Sequence, residues 1–230
     1  MARFADICSM RILLLSATRA EIAPTLHWLK DHEFQTNGHL VITGQPGIGS
    51  LQTAWWLGRH LKEIHPQLVI QAGIAGSFLP NWNPQQVLTV KSEAMADLGV
   101  QERDGFKSIF DLSLQHSELP PFQNGLLVNP YQKLLESTKL PQATAITVNQ
   151  VTTASTDIER LKQSGAEIES MEGAALHFAC LQAGLPFIQL RTCSNAVGVR
   201  DKSQWQMKEA IESLNNYLMQ WIPTINAEIL

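Results

Sequence analysis

Three observations predict an α/β protein. Apolar runs rich in Ile, Leu and Val alternate with stretches of helical period, the last of those stretches is strongly amphipathic, and 230 residues suffice to bury a sizeable core. Crossover helices covering a mainly parallel sheet produce this alternation. A first strand is expected over 12–16. A helix over 20–30 follows, with Ile22, Leu26 and Leu29 on one side and Pro24 tolerated in its first turn. Gly44, Pro46, Gly47 and Gly49 mark a turn, after which Ala54, Leu57, Leu61 and Ile64 recur at helical spacing up to Pro66. The apolar run over 68–72 reads as a strand ending in a glycine turn, Gly73-Ile-Ala-Gly76, and 87–90 and 143–148 read as further strands. Between them, 94–123 has no clean period and is expected to supply loops that shape a pocket. A strand over 166–171, a helix over 173–183 and a strand over 187–192 come next. Met207, Ile211, Leu214, Leu218 and Trp221 then step by three or four residues along a final helix. With no internal repeat or linker, one domain over 1–230 is expected. Residues 1–9 read equally as an extension ahead of a start at Met10 or as an ordinary flexible terminus.

Composition narrows the function classes. Hydrophobic residues are 44% and charged residues 17% of the chain, which excludes disordered and fibrous classes. Seventeen Lys and Arg against 21 Asp and Glu give a net charge of -4, with no basic block to follow a phosphate backbone, so no nucleic-acid partner is expected. The longest apolar runs fall far short of the ~20 residues of a membrane helix. No membrane partner is expected, and with no signal layout at residues 1–9 a cytoplasmic location is. Cys8, Cys180 and Cys193 are scattered and odd in number, which points away from disulfides and zinc. His27 with His32 and His60 with His65 are five apart, a spacing that does not align ligands on a helix. Gly44-x-x-Gly47-x-Gly49-Ser50 lacks the Lys of a phosphate loop and the third glycine of a dinucleotide fingerprint. Ser16, Ser170 and Ser194 have no histidine at a telling interval.

In open α/β sheets ligands bind outside the carboxyl ends of the strands. That rule selects Glu21, the 73–76 segment, Glu172 and Asn195. A carboxylate in the apolar setting of Glu169-Ser-Met-Glu-Gly-Ala-Ala175 needs a partner. By position alone Glu172 is an acidic residue of a first helical turn; a vicinal diol is the other partner that suits it.

Several segments together carry a resemblance: Ile12-Leu-Leu-Leu-Ser-Ala-Thr-Arg-Ala-Glu21, Gly47-Ile-Gly49, Gln71-Ala-Gly-Ile-Ala-Gly76 and Ser170-Met-Glu-Gly-Ala-Ala175. In this order they resemble the nucleoside phosphorylase and nucleosidase superfamily over nearly the whole chain. Glu169-Ser-Met-Glu-Gly-Ala-Ala175, Arg191-Thr-Cys-Ser-Asn195, Val199-Arg-Asp-Lys202 and Trp205 are most similar to the futalosine hydrolases. The resemblance implies a three-layer α/β/α sandwich with a twisted mixed central sheet. The implied activity is hydrolysis of a purine nucleoside, futalosine, to hypoxanthine and dehypoxanthine futalosine on the alternative menaquinone route, without metal or organic cofactor and in a homo-oligomer, dimer or higher.

Roles carry over onto matching positions. The resemblance implies that Glu21 activates the hydrolytic water, that Glu172 binds the ribose hydroxyls with Met171 against the sugar, and that Asn195 meets N7 and the 6-substituent of the base. Ala75, Gly76 and Val151 complete the implied substrate-binding set. Asn195 departs from the aspartate of the methylthioadenosine nucleosidases: an amide offers a carbonyl to a protonated N7 and an N–H to O6, which favours a 6-oxopurine. The usual aromatic residue that stacks on the base is missing around 149–152. The benzoate of futalosine implies a cation, for which Arg19, Arg103, Arg191 and Arg200 are candidates. Asp97 is expected to face solvent rather than the pocket, and Trp55 and Trp56 to serve core or subunit packing. Rival readings are a methylthioadenosine or adenosylhomocysteine nucleosidase, a purine nucleoside phosphorylase, and a nucleoside-binding protein without catalysis.

Overall fold

The computed structural model describes residues 10–230, so the expectations for 1–9, Cys8 included, lie outside the described residues. β1 (Arg11–Leu15) begins the central sheet, and both its faces are buried, which is why its sequence is apolar throughout rather than alternating. Ile12 and Leu14 face the layer formed by α1 (Ala23–Asp31) and the C-terminal helix; Leu13 and Leu15 face the opposite helical layer. β2 (Gln35–Thr36) and β3 (His39–Gly44) follow. β3 pairs with β1 in parallel and was not anticipated, because its apolar positions are interrupted by His39 and Thr43.

The expected helix at 20–30 is broken. A 3-10 turn over Arg19–Ile22 precedes α1, and Asn215 joins the two. Its Nδ2 donates to the Glu21 carbonyl at 2.9 Å, while its Oδ1 accepts from the Thr25 N–H at 3.0 Å. Pro24, which lacks an N–H, sits at the start of the α-helical part.

α2 (Ser50–Ile64) buries Thr53, Leu57 and Leu61. Ala54, assigned to the inner stripe by the spacing, is exposed instead, on the side that also carries Leu51 and Trp55. β4 (Leu68–Ser77) pairs with β1 in parallel and continues through Gly73 and Gly76, so the expected glycine turn is extended strand. β5 (Val87–Met95) also outruns its apolar core sequence. Within 94–123 lies a hairpin of β6 (Gly99–Glu102) and β7 (Gly105–Ser108). β8 (Leu127–Val128), α3 (Gln132–Ser137), β9 (Gln142–Thr147) and α4 (Ser155–Gln163) come next. The two helices were not anticipated, being short and burying only one or two side chains each. β10 (Ile168–Ser170) is shorter than expected, α5 (Gly173–Ala183) and α6 (Met207–Trp221) match expectation, and between those helices β11 (Phe187–Ala196) extends past 192.

The sheet order is β10-β9-β5-β11-β4-β1-β3-β2, with β8 beside β5. β10 also pairs antiparallel with β4, so β10, β9, β5, β11 and β4 close on themselves. The enclosed core is built from small and medium side chains, Ala75, Val90, Ala143, Ala145, Ile168 and Cys193, as a narrow closure demands. With α1 and α6 on one face and α2 and α5 on the other, the architecture is the expected three-layer α/β/α sandwich on a mixed sheet. No described helix is long and apolar enough to cross a membrane.

Candidate active site

All seven site residues selected from sequence, Glu21, Ala75, Gly76, Val151, Met171, Glu172 and Asn195, line one cavity of about 390 Å³ at the carboxyl ends of β1, β4, β10 and β11. Arg200, Trp205, Met207 and Ile211 form part of its wall. The two carboxylates are almost fully buried, Glu21 at 8% and Glu172 at 5% exposure. Each is held by donors rather than left bare. Glu21 Oε2 accepts from the Thr18 N–H at 2.8 Å and the Thr18 hydroxyl at 3.1 Å, and its Oε1 accepts from the Ile74 N–H at 3.2 Å. Glu172 occupies the N-cap of α5; its Oε1 accepts from the Gly49 N–H at 3.0 Å. Gly47 and Gly49 reach that approach with φ of +103° and +95°, a region that favours glycine.

Arg191 lies beside Glu172 at 1% exposure. Its Nη2 donates to Gln71 Oε1 at 2.9 Å and lies 3.5 Å from Glu172 Oε2, while its Nη1 donates to the Ile74 carbonyl at 3.2 Å. Gly73 explains how the guanidinium and Glu21 fit together: a Cβ there would lie 2.5 Å from Arg191 Nη1 and 2.7 Å from Glu21 Oε1. An arginine in the middle of a buried strand was the sequence signal for this clamp, since an uncompensated core charge is costly. Gly73 and Asn215 carried no such signal.

Asn195 was expected beyond the strand but lies within β11, at a bulge where the register against β4 shifts after Cys193. Its Oδ1 accepts from the Ser194 hydroxyl at 2.9 Å and one N–H donates to the Ala196 carbonyl at 2.9 Å, which leaves a second lone pair and a second N–H for a ligand. Of the four candidate arginines, Arg191 is committed to the clamp, and Arg19 and Arg103 are exposed and not among the cavity residues. Arg200 lines the cavity, its guanidinium carbon 5.8 Å from the Trp205 ring centre. Asp97 is partly buried and accepts from the N–H groups of Asn149 and Gln150, so it organises the loop before Val151 instead of facing only water.

Beneath the site Glu93 is fully buried, its carboxyl accepting from Gln189 at 2.9 Å and from Thr147 at 3.0 Å. Burial pushes it up to about 7 against those hydrogen bonds and the charge of Arg191. No group of three or more metal-ligating side chains occurs among the described residues.

A family model described as the phosphorylase superfamily matches residues 3–222. The chain belongs to that superfamily. The futalosine hydrolase of Streptomyces coelicolor is 32% identical over 70% of this chain and 67% of its own length. That of Thermus thermophilus is 30% identical over 88% of this chain and 91% of its own. The resemblance to futalosine hydrolases read from Glu169–Trp205 is thereby borne out, and the relatives mark this superfamily member as an N-glycosyl hydrolase. Among solved structures, a variant 5′-methylthioadenosine/S-adenosylhomocysteine nucleosidase of Helicobacter pylori, with 5′-methylthioadenosine in its active site, superposes with a TM-score of 0.74 at 18% identity. The match covers 94% of this chain and all of that one, and it shows the shared fold.

Proposed function

We propose that this chain hydrolyses the N-ribosyl bond of futalosine, releasing hypoxanthine and dehypoxanthine futalosine. The observation that carries the reading is that Glu21 and Glu172 line one cavity, each buried and held by backbone donors. Cleavage develops positive charge on the sugar and negative charge on the departing base, so the site must serve both ends. Glu172, held by Gly49 and facing Arg191, keeps acceptor capacity for the ribose hydroxyls and turns C1′ towards Glu21. Glu21 then orients a water and takes its proton as the water adds to C1′ and the C1′–N9 bond breaks. General-base help of this kind supplies about 10²- to 10⁴-fold in rate. The base leaves with the bonding pair as an anion whose O6 meets the free Asn195 N–H; solvent supplies the proton that then sits on N7, and the Asn195 carbonyl accepts a hydrogen bond from that N7–H.

Arg200 is the cation that suits the remote carboxylate of the substrate: it is exposed, lines the cavity and sits over Trp205. The homo-oligomer belongs to this proposal too. Leu51 at 82% and Trp55 at 63% exposure, with Ile48 and Phe178, form an apolar surface on α2 and α5 that reaches the cavity edge at Ile48.

Chromatography of products from futalosine, aminofutalosine, methylthioadenosine and inosine, each with and without phosphate, tests the reading. Hypoxanthine released from futalosine without phosphate is the expected result. Release that requires phosphate, or a preference for methylthioadenosine, would overturn it.

A further inference from the structure

We propose that Glu169 is a specificity-determining residue that accepts the N1–H of the 6-oxopurine, a reading that rests on the nucleosidase function above. Gly76 on β4 is paired on one side with Asn195 of β11 and on the other with Glu169 of β10. Directly paired residues face the same side of a sheet, and all three line the cavity. Two strand spacings separate the Cα atoms of Glu169 and Asn195, roughly 10 Å. The position between them is open because Gly76 has no side chain; a Cβ there would already lie 3.0 Å from Val197 Cγ2 and 3.6 Å from Asn195 Nδ2. A carboxyl and an amide therefore flank a gap wide enough for the edge of a planar base.

The carboxyl is only half used. Glu169 Oε1 accepts from the Thr152 N–H at 3.2 Å, whereas Oε2 is buried with no hydrogen-bond partner. A buried carboxylate oxygen without a donor is costly, and a ligand donor removes that cost. In a 6-oxopurine, N1–H and N7 lie on either side of O6. With N7 and O6 at Asn195, N1–H points to the opposite flank, where the acceptor-only carboxylate stands. In a 6-aminopurine N1 is itself an acceptor, and the same carboxylate would face a lone pair. Glu169 and Asn195 thus read the two sides of the same carbonyl.

The test needs both a ligand series and a variant. Calorimetry on the unaltered protein compares hypoxanthine with 1-methylhypoxanthine, and kcat/KM for futalosine and aminofutalosine is measured in wild type and Glu169→Gln. In the variant the amide oxygen takes the Thr152 N–H and turns an NH₂ donor towards N1. Hydrogen bonds to charged groups set the expected scale, about 10- to 100-fold. Wild type should bind hypoxanthine more tightly than its 1-methyl analogue by that factor. Glu169→Gln should lose a similar factor in kcat/KM for futalosine while aminofutalosine gains, because the new N–H donor faces its N1 lone pair. Equal binding of the two bases by wild type overturns the assignment, as does an equal change for both substrates, the mark of a loop strut acting only through Thr152. A folded wild type that cleaves none of the nucleosides overturns the nucleosidase reading itself, and shows this before any variant is made.

Discussion

Gly73→Ala is the sharpest structural probe of the proposed water-activating group. The new methyl would meet Arg191 Nη1 at 2.5 Å and Glu21 Oε1 at 2.7 Å, whereas ordinary contact begins at 3.4 Å. Carboxylate and guanidinium must therefore each give way by roughly 0.7–0.9 Å, or the strand must move. A misplacement of ~1 Å costs about 10²-fold in rate, and overpacking a core costs about 1–3 kcal/mol. No positive φ is required at Gly73, so the backbone itself accepts alanine. The expected result is kcat for base release reduced about 100-fold, hypoxanthine binding within threefold of wild type because Asn195 lies elsewhere in the cavity, and a cooperative unfolding transition at a lowered midpoint. Turnover within threefold of wild type would refute the reasoning, since it would mean that the position of Glu21 beside Arg191 does not govern the chemistry.

Three further outcomes follow from the same geometry. Asn195→Asp should erode cleavage of 6-oxopurine nucleosides by at least about 10-fold relative to 6-amino ones, because two acceptors then face each other; an unchanged preference assigns that specificity to other residues. Arg200→Ala should raise KM for futalosine about 10-fold and leave inosine, which has no benzoate, unaffected; equal effects on both would remove Arg200 from carboxylate recognition. Glu93 predicts a pH dependence of stability. Its native carboxyl is pushed from 4.5 to about 7, so its contribution is fully present below about 4.5 and is lost as pH rises through 7. Between pH 5 and 8 wild type should lose about 2–3 kcal/mol relative to Glu93→Gln in urea unfolding. Buried His177, pulled down to about 4, works in the opposite sense, adding stability as pH rises from about 4 to 6.5, and cancels because both proteins contain it. Parallel pH curves for the two proteins would contradict the Glu93 account.

The fold class and the gathering of the site were legible because both rest on strong local signals. Strands buried on both faces leave continuous apolar runs such as Ile12–Leu15, and α5 and α6 are long enough to show their period or their apolar content. Placing ligands at the carboxyl ends of strands brought Glu21, Glu172 and Asn195 to one rim without knowledge of the sheet order. What stayed hidden depends on contacts across the chain. Gly73 and Gly76 resemble a turn in sequence, yet both are extended strand; glycine is needed at 73 because Arg191 and Glu21 fill the space of a side chain, and at 76 Val197 stands close. Ala54 and Leu57 suggest one apolar face of α2, but Leu51 and Trp55 face outward, and a monomer's sequence does not say which apolar face is inner. Closure of β10 onto β4 left only scattered small and medium residues on separate strands, too weak a signal beside the strand patterns themselves. Asn215 holds the broken helix at Glu21 from 190 residues away along the chain at Thr25, a coupling that local periodicity does not carry.

Single-turnover hydrolysis of futalosine by Glu21→Gln, run beside equilibrium binding of the same substrate, tests the central claim most directly. Loss of the water-activating carboxylate predicts a rate at least about 10²-fold below wild type with substrate affinity within a few-fold. A variant that binds futalosine and hydrolyses it at the wild-type rate would contradict the account.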